Sequence, residues 1–80
     1  MIDAVMFDID DTLIRQRDGS PIQSIVDILD MCRMAGYRIV IITARPSVGR
    51  DWTVRQLGSL GIYYDELYFC HPQMKSLIKR

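Results

Sequence analysis

Residues 37–42 read YRIVII, a run of β-branched side chains with almost no polar break. Such a run fits a strand with both faces covered by helices, the position found in parallel sheets of α/β proteins. An antiparallel strand with one wet face would alternate apolar and polar residues. In a chain of 80 residues this one segment points to a small layered α/β domain with a parallel sheet.

The flanking sequence supplies the other elements. Residues 3–8 (DAVMFD) predict a short buried strand, and residues 67–70 (LYFC) a third. Between the first two strands, Ser20-Pro21-Ile22-Gln23 has the form of a capping box, with a serine N-cap, a proline at the first helical position and a glutamine three residues after the cap. Ile22, Ile25, Val26, Leu29 and Cys32 then share one helical face, and Gly36 supplies the stop. A second helix is expected over about 49–60, burying Trp52 or Val54 with Leu57 and Leu60 and ended by Gly61. Pro72 would open a last helix with Met74, Leu77 and Ile78 on one face. The resulting order is β-α-β-α-β-α. Connections this short imply right-handed crossovers and a Rossmann-like three-layer α/β fold with a short parallel sheet of about three strands.

Composition limits the classes of function. About half the residues are hydrophobic and a quarter charged, as in a globular domain. Ten basic and ten acidic side chains cancel, so no bulk charge draws the chain to nucleic acid or a membrane. No run approaches the roughly 18 apolar residues of a membrane span, and no signal-peptide pattern opens the sequence. A cytoplasmic protein with no membrane partner is the default. Cys32 and Cys70 lack metal-ligand spacing and read as small apolar residues in a reducing compartment.

The chemistry concentrates where the first strand ends. VMFDIDDTLI places Asp8, Asp10 and Asp11 within four positions of an apolar run, followed by Thr12. Parallel α/β sheets bind ligands at the carboxyl ends of their strands. Asp8 and Asp10 lie there on the first strand and Thr43 on the second, and with strands about 4.8 Å apart these side chains reach one rim. Two carboxylates that close repel unless a cation intervenes. Mg²⁺ suits them, because it takes oxygen ligands and keeps several waters. A metal, a carboxylate nucleophile and a hydroxyl donor together suit phosphoryl chemistry. Arg45 is either a bidentate holder of a substrate phosphate or a surface salt-bridge partner. Asp11 is expected to face solvent, His71 to be a loop or cap residue, and TARPS lacks the glycines of a P-loop.

These residues resemble the haloacid dehalogenase superfamily. VMFDIDDTL is similar to its first motif, D-x-D-x-T after apolar residues, and RIVIITARP to its second, about thirty residues on. The resemblance implies a Mg²⁺-dependent phosphatase working through an aspartyl-phosphate. Asp8 would be the nucleophile and a metal ligand. Asp10 would be the general acid and base, with its main-chain carbonyl on the metal. Thr12 would pin the turn, and Thr43, with Ala44 and Arg45 beside it, would hold the transferred phosphoryl group. Lys75, or Lys79 one turn on, would be the lysine of the third motif. The stretch TARP…GIYYDELYF is similar to uncapped phosphatases associated with polynucleotide end repair, which implies a phosphorylated small molecule or polynucleotide end as substrate.

The family's fourth strand and its acidic pair are absent from residues 1–80, and so are the usual cap insertions. Without that strand AVMFDI is an apolar sheet edge. Three explanations stand open: a fragment of a longer enzyme, a short protein that pairs through this edge as a homo-oligomer, or a noncatalytic binding or assembly module. Residues 1–80 are taken as one domain.

Overall fold

The structure is a computed structural model that describes residues 3–70. Three parallel strands, β1 (Ala4–Phe7), β2 (Arg38–Thr43) and β3 (Glu66–Phe69), form one sheet in the order β1-β2-β3. Helix α1 (Gln23–Met34) links the first two strands. A short 3-10 turn (Ser47–Gly49) and helix α2 (Arg50–Ser59) link the second pair. The YRIVII segment is the central strand, and the fold is Rossmann-like α/β.

Register explains which side chains are buried. Val5 pairs with Ile39, Phe7 with Ile41, Ile41 with Leu67 and Thr43 with Phe69, so these residues share one face. On that face Phe7, Ile39 and Ile41 join Val26 and Leu29 of α1 and Leu57 of α2 in a single core. Strands laid down in sequential order with right-handed crossovers put both helices on the same side. The opposite face carries Met6, Val40, Ile42 and Tyr68, and no helix covers it among the described residues; Met6 is 60% exposed. The last expected helix, from Pro72, lies outside the described residues, as does His71.

Two local expectations are corrected. The capping box does not form: α1 begins at Gln23 with Ile22 as its N-cap and no side-chain cap bond. Ser20 is used earlier, because Ile14 pairs antiparallel with Pro21, Arg15 N donates to the Ser20 carbonyl at 2.8 Å, and Ile22 N donates to the Leu13 carbonyl at 2.8 Å. A hairpin over residues 13–22 therefore holds the residues that would have opened the helix. On α2 the core-facing pair is Thr53 and Leu57, not Trp52 or Val54; Trp52 is 61% exposed. The helix phase is set by Leu57, and its partner one turn earlier is position 53. Leu60 packs against the core as expected, and Gly61 ends the helix at φ +70°.

Candidate active site

The rim at the carboxyl end of the sheet is built by main-chain hydrogen bonds. The Ile9 carbonyl accepts from the N–H groups of Thr12, Leu13 and Ile14 at 3.2, 2.9 and 3.0 Å, and Asp11 N donates to the Ile14 carbonyl at 2.6 Å. The chain after β1 is thus coiled into a compact knot. Ile9, Leu13 and Ile14 point into the core and are at most 1% exposed. Apolar anchors alternate with acids here, so burying the anchors drives Asp8 and Asp10 toward the surface. Asp11 is exposed and takes a left-handed φ of +60°, a conformation aspartate tolerates better than most residues. Its Oδ1 accepts from Gln16 N at 3.0 Å, which ties the knot to the hairpin.

Asp8 follows directly on β1, and its Oδ1 accepts from Ile9 N at 2.8 Å. Phe7 pairs with Ile41, so Asp8 lies level with Ile42, one residue before Thr43 closes β2. Thr43 is 1% exposed, and its Oγ1 accepts from Arg45 N at 3.1 Å. With its oxygen so engaged, the hydroxyl proton is left to donate. Ala44 is exposed next to it. The structure therefore brings Asp8, Asp10, Thr43, Ala44 and Arg45 to one edge of the sheet. Lys75 and Lys79 lie outside the described residues.

Arg45 forms an ion pair within the rim. The residue pairs with Asp10, its Nε 3.0 Å from Oδ2 and its Nη2 2.8 Å from Oδ1. Nη1 donates to Gln56 Oε1 at 2.8 Å and to Thr53 Oγ1 at 3.3 Å. The guanidinium also lies 5.3 Å from the centroid of the Trp52 ring. At 13% exposure the Arg45 side chain is no ordinary surface partner. A planar fork with five donors suits this, whereas an ammonium could not reach all the acceptors. Thr53 and Gln56 were not visible as site residues in the sequence. The clue was a threonine on the core-facing side of α2, one turn before Leu57, with a glutamine three residues on.

A cleft of about 580 Å³ opens beside Asp10, between the hairpin and the start of α2. Asp10 and Arg45 line it, with Pro46, Val48 and Trp52 as its apolar wall and Arg15, Gln16 and Asp18 on the hairpin side. Ser20 donates to Asp18 Oδ1 from both its hydroxyl (2.6 Å) and its N–H (2.9 Å), which holds the Asp18 carboxyl below its ordinary value. Gly19, at φ +74°, turns the hairpin against Gln56: a Cβ there would stand 3.7 Å from Gln56 Nε2. Both cysteines are free and half-buried.

For a metal, the rim offers hard oxygen donors. Among the described residues no three His, Cys, Asp or Glu side chains converge as a protein-closed site needs. The donor set fits a Mg²⁺ ion that keeps most of its water, which that ion favours.

An open parallel α/β sheet with an acidic knot after its first strand and a buried threonine at the end of its second defines a Rossmann-like protein with a hydrolase-type rim. The chain belongs to the haloacid dehalogenase-like hydrolase family, whose model it matches over residues 5–65. It also resembles a chain in the solved structure of the Pnkp1/Rnl/Hen1 complex, with a TM-score of 0.77 and 26% identity, over 88% of this chain and 29% of that one. The sequence thus spans under a third of that chain's length. No curated protein matches it. Among the described residues no helix is long and apolar enough to cross a membrane.

Proposed function

We propose that this chain carries the nucleophile half of a Mg²⁺-dependent phosphohydrolase. The observation that supports this most directly is the rim itself: Asp8 directly after β1, a buried Thr43 hydroxyl at the end of the adjacent β2, and Asp10 fixed by the Arg45 fork. The Asp8 carboxylate attacks phosphorus, an Asp8 O–P bond forms, and the bond to the leaving oxygen breaks. Asp10 gives that oxygen its proton, then takes one from the water that cleaves the aspartyl-phosphate. Thr43 donates its hydroxyl proton to a phosphoryl oxygen. Asp8 and the Asp10 carbonyl would hold Mg²⁺, which supplies neutralising charge to the phosphoryl group. Lys75 is the proposed second source of positive charge.

The proposed substrate is a nucleotide or polynucleotide phosphate. The similarity of TARP…GIYYDELYF to end-repair phosphatases supports it, as does the absence of a cap over the cleft among the described residues. The test is Mg²⁺-dependent release of phosphate from an aryl phosphate, with Asp8→Asn removing it. Undiminished release by Asp8→Asn would refute the nucleophile.

A second reading rests on the sheet edge, since β1 has a paired neighbour only on its β2 side among the described residues. Such an edge suits a noncatalytic assembly module that pairs with another copy. A stable oligomer unaffected by Mg²⁺ and a phosphate mimic, with no turnover, would favour it.

A further inference from the structure

We infer that the cleft beside Asp10 is a leaving-group subsite for a planar heteroaromatic ring, with Trp52 as its platform and a nucleoside monophosphate as its ligand. The inference rests on the phosphohydrolase reading and adds the residues that would recognise the part of the substrate beyond the phosphate.

Three observations carry it. The first is that the apolar wall has no role in the core. Val48 is 95% exposed and Trp52 61% exposed, while α2 is docked by Thr53 and Leu57. Large apolar groups left at the mouth of a cleft, next to reactive polar groups, are the usual composition of a small-molecule site, and the volume lies in the usual range. The second is orientation. Arg45 touches both Asp10 and the Trp52 ring, so one guanidinium sets the general acid and the platform relative to each other. A substrate whose leaving oxygen lies at Asp10 then projects along the cleft toward Trp52. The third is charge. The hairpin wall offers the Asp18 carboxylate, held in its ionised form by Ser20, with Gln16 and Arg15 beside it. A carboxylate accepts from ring amino groups, and an amide can both donate and accept. A sugar alcohol or an alkyl chain would match the wall or the polar side, but not both. A nucleobase matches the two together, because every base has a flat apolar face and a polar edge.

Trp52 is the single tryptophan of the sequence, so its fluorescence reports on the platform without any need for turnover. The experiment uses the whole chain as Asp8→Asn and titrates adenosine monophosphate, ribose phosphate and inorganic phosphate. Saturable quenching by adenosine monophosphate, with little change from the other two, is the expected result. In calorimetry, Trp52→Ala should weaken adenosine monophosphate by about five- to a hundredfold, the usual worth of one stacked base. It should leave ribose phosphate unchanged, and Trp52→Phe should restore most of the affinity. Equal responses to adenosine monophosphate and ribose phosphate, or no response to either, would overturn the subsite. Loss of the nucleophile assignment would show separately, as phosphate release persisting in Asp8→Asn.

Discussion

Arg45 grips Asp10 at two points, Nε to Oδ2 at 3.0 Å and Nη2 to Oδ1 at 2.8 Å, and is itself braced from α2 by Gln56 and Thr53. The second strand's exit loop and the second helix thereby fix a carboxylate that belongs to the first strand. Asp10 is 32% exposed and Arg45 13%, so the pair is partly screened. We expect a double-mutant cycle of Asp10→Asn and Arg45→Met in urea unfolding to give a coupling of about 1–2 kcal/mol, between exposed and buried cases. Arg45→Lys should recover less than half of it, because an ammonium cannot make the fork.

Gln56 should act through Arg45. Gln56→Leu leaves a guanidinium N–H without its 2.8 Å acceptor and lets the fork drift. If the proposed general-acid role of Asp10 holds, turnover should fall most for substrates with poor leaving groups, which need protonation most. A loss uniform across leaving groups would show that Gln56 only supports the fold.

Leu13 is fully buried directly beneath the acidic knot. Leu13→Ala should cost about 2–5 kcal/mol, the range for a large core side chain cut to alanine. Trp52→Ala, although it removes a much larger side chain, should cost about 1 kcal/mol or less, because Trp52 is mostly exposed and its ring meets the Arg45 guanidinium. Chemical denaturation of the two variants gives the comparison directly.

Mg²⁺ should bind weakly if its protein ligands are the two proposed, Asp8 and the Asp10 carbonyl. Millimolar affinity, about −4 kcal/mol, is the expectation for so few protein ligands. Calorimetry that gave micromolar binding to the monomer would mean another carboxylate completes the site.

Acid sensitivity should trace in part to Asp65. Its Oδ1 accepts from the Tyr63 hydroxyl at 2.6 Å and its Oδ2 from Ile39 N at 2.7 Å, and these two bonds, the first larger, lower its pKa from 3.8. A carboxyl whose folded value is depressed adds stability above its unfolded value and loses it as pH falls through the folded one. The contribution of Asp65 is therefore complete above about pH 4 and fades below it. Asp65→Asn should be less stable than the parent at neutral pH, and the two acid-unfolding curves should converge at low pH.

Periodicity made the sheet legible. The β-branched run of β2 and the apolar run of β1 each appear within one residue of their expected limits. What the sequence did not show was how the chain leaves β1. Ile9, Leu13 and Ile14 follow neither a strand nor a helix period, because they are buried by a knot whose geometry comes from one carbonyl accepting three N–H groups. The false capping box has the same origin, since Ser20 and Pro21 satisfy a local pattern that the hairpin overrides. At the rim, Asp8, Asp10 and Thr43 could be read because strand ends are positions in sequence. Gln56 and Thr53 could not, because their part depends on a guanidinium that reaches across from another loop.

The sequential strand order also sets a timetable for the chain as it emerges in synthesis. β2 pairs with the strand made before it, and among the described residues β3 pairs only with β2. The paired residues stand 34 positions apart across β1 and β2 and 26 apart across β2 and β3, and parallel pairings of that reach form slowly. Asp8, Asp10, Thr43 and Arg45 all precede β3 in the chain, so these four rim groups are present before β3 has been translated. The braces Thr53 and Gln56 arrive eight and eleven residues later. A nascent chain thus acquires its acidic knot first and the support for its orientation second, and residues 66–69 pair with β2 after both.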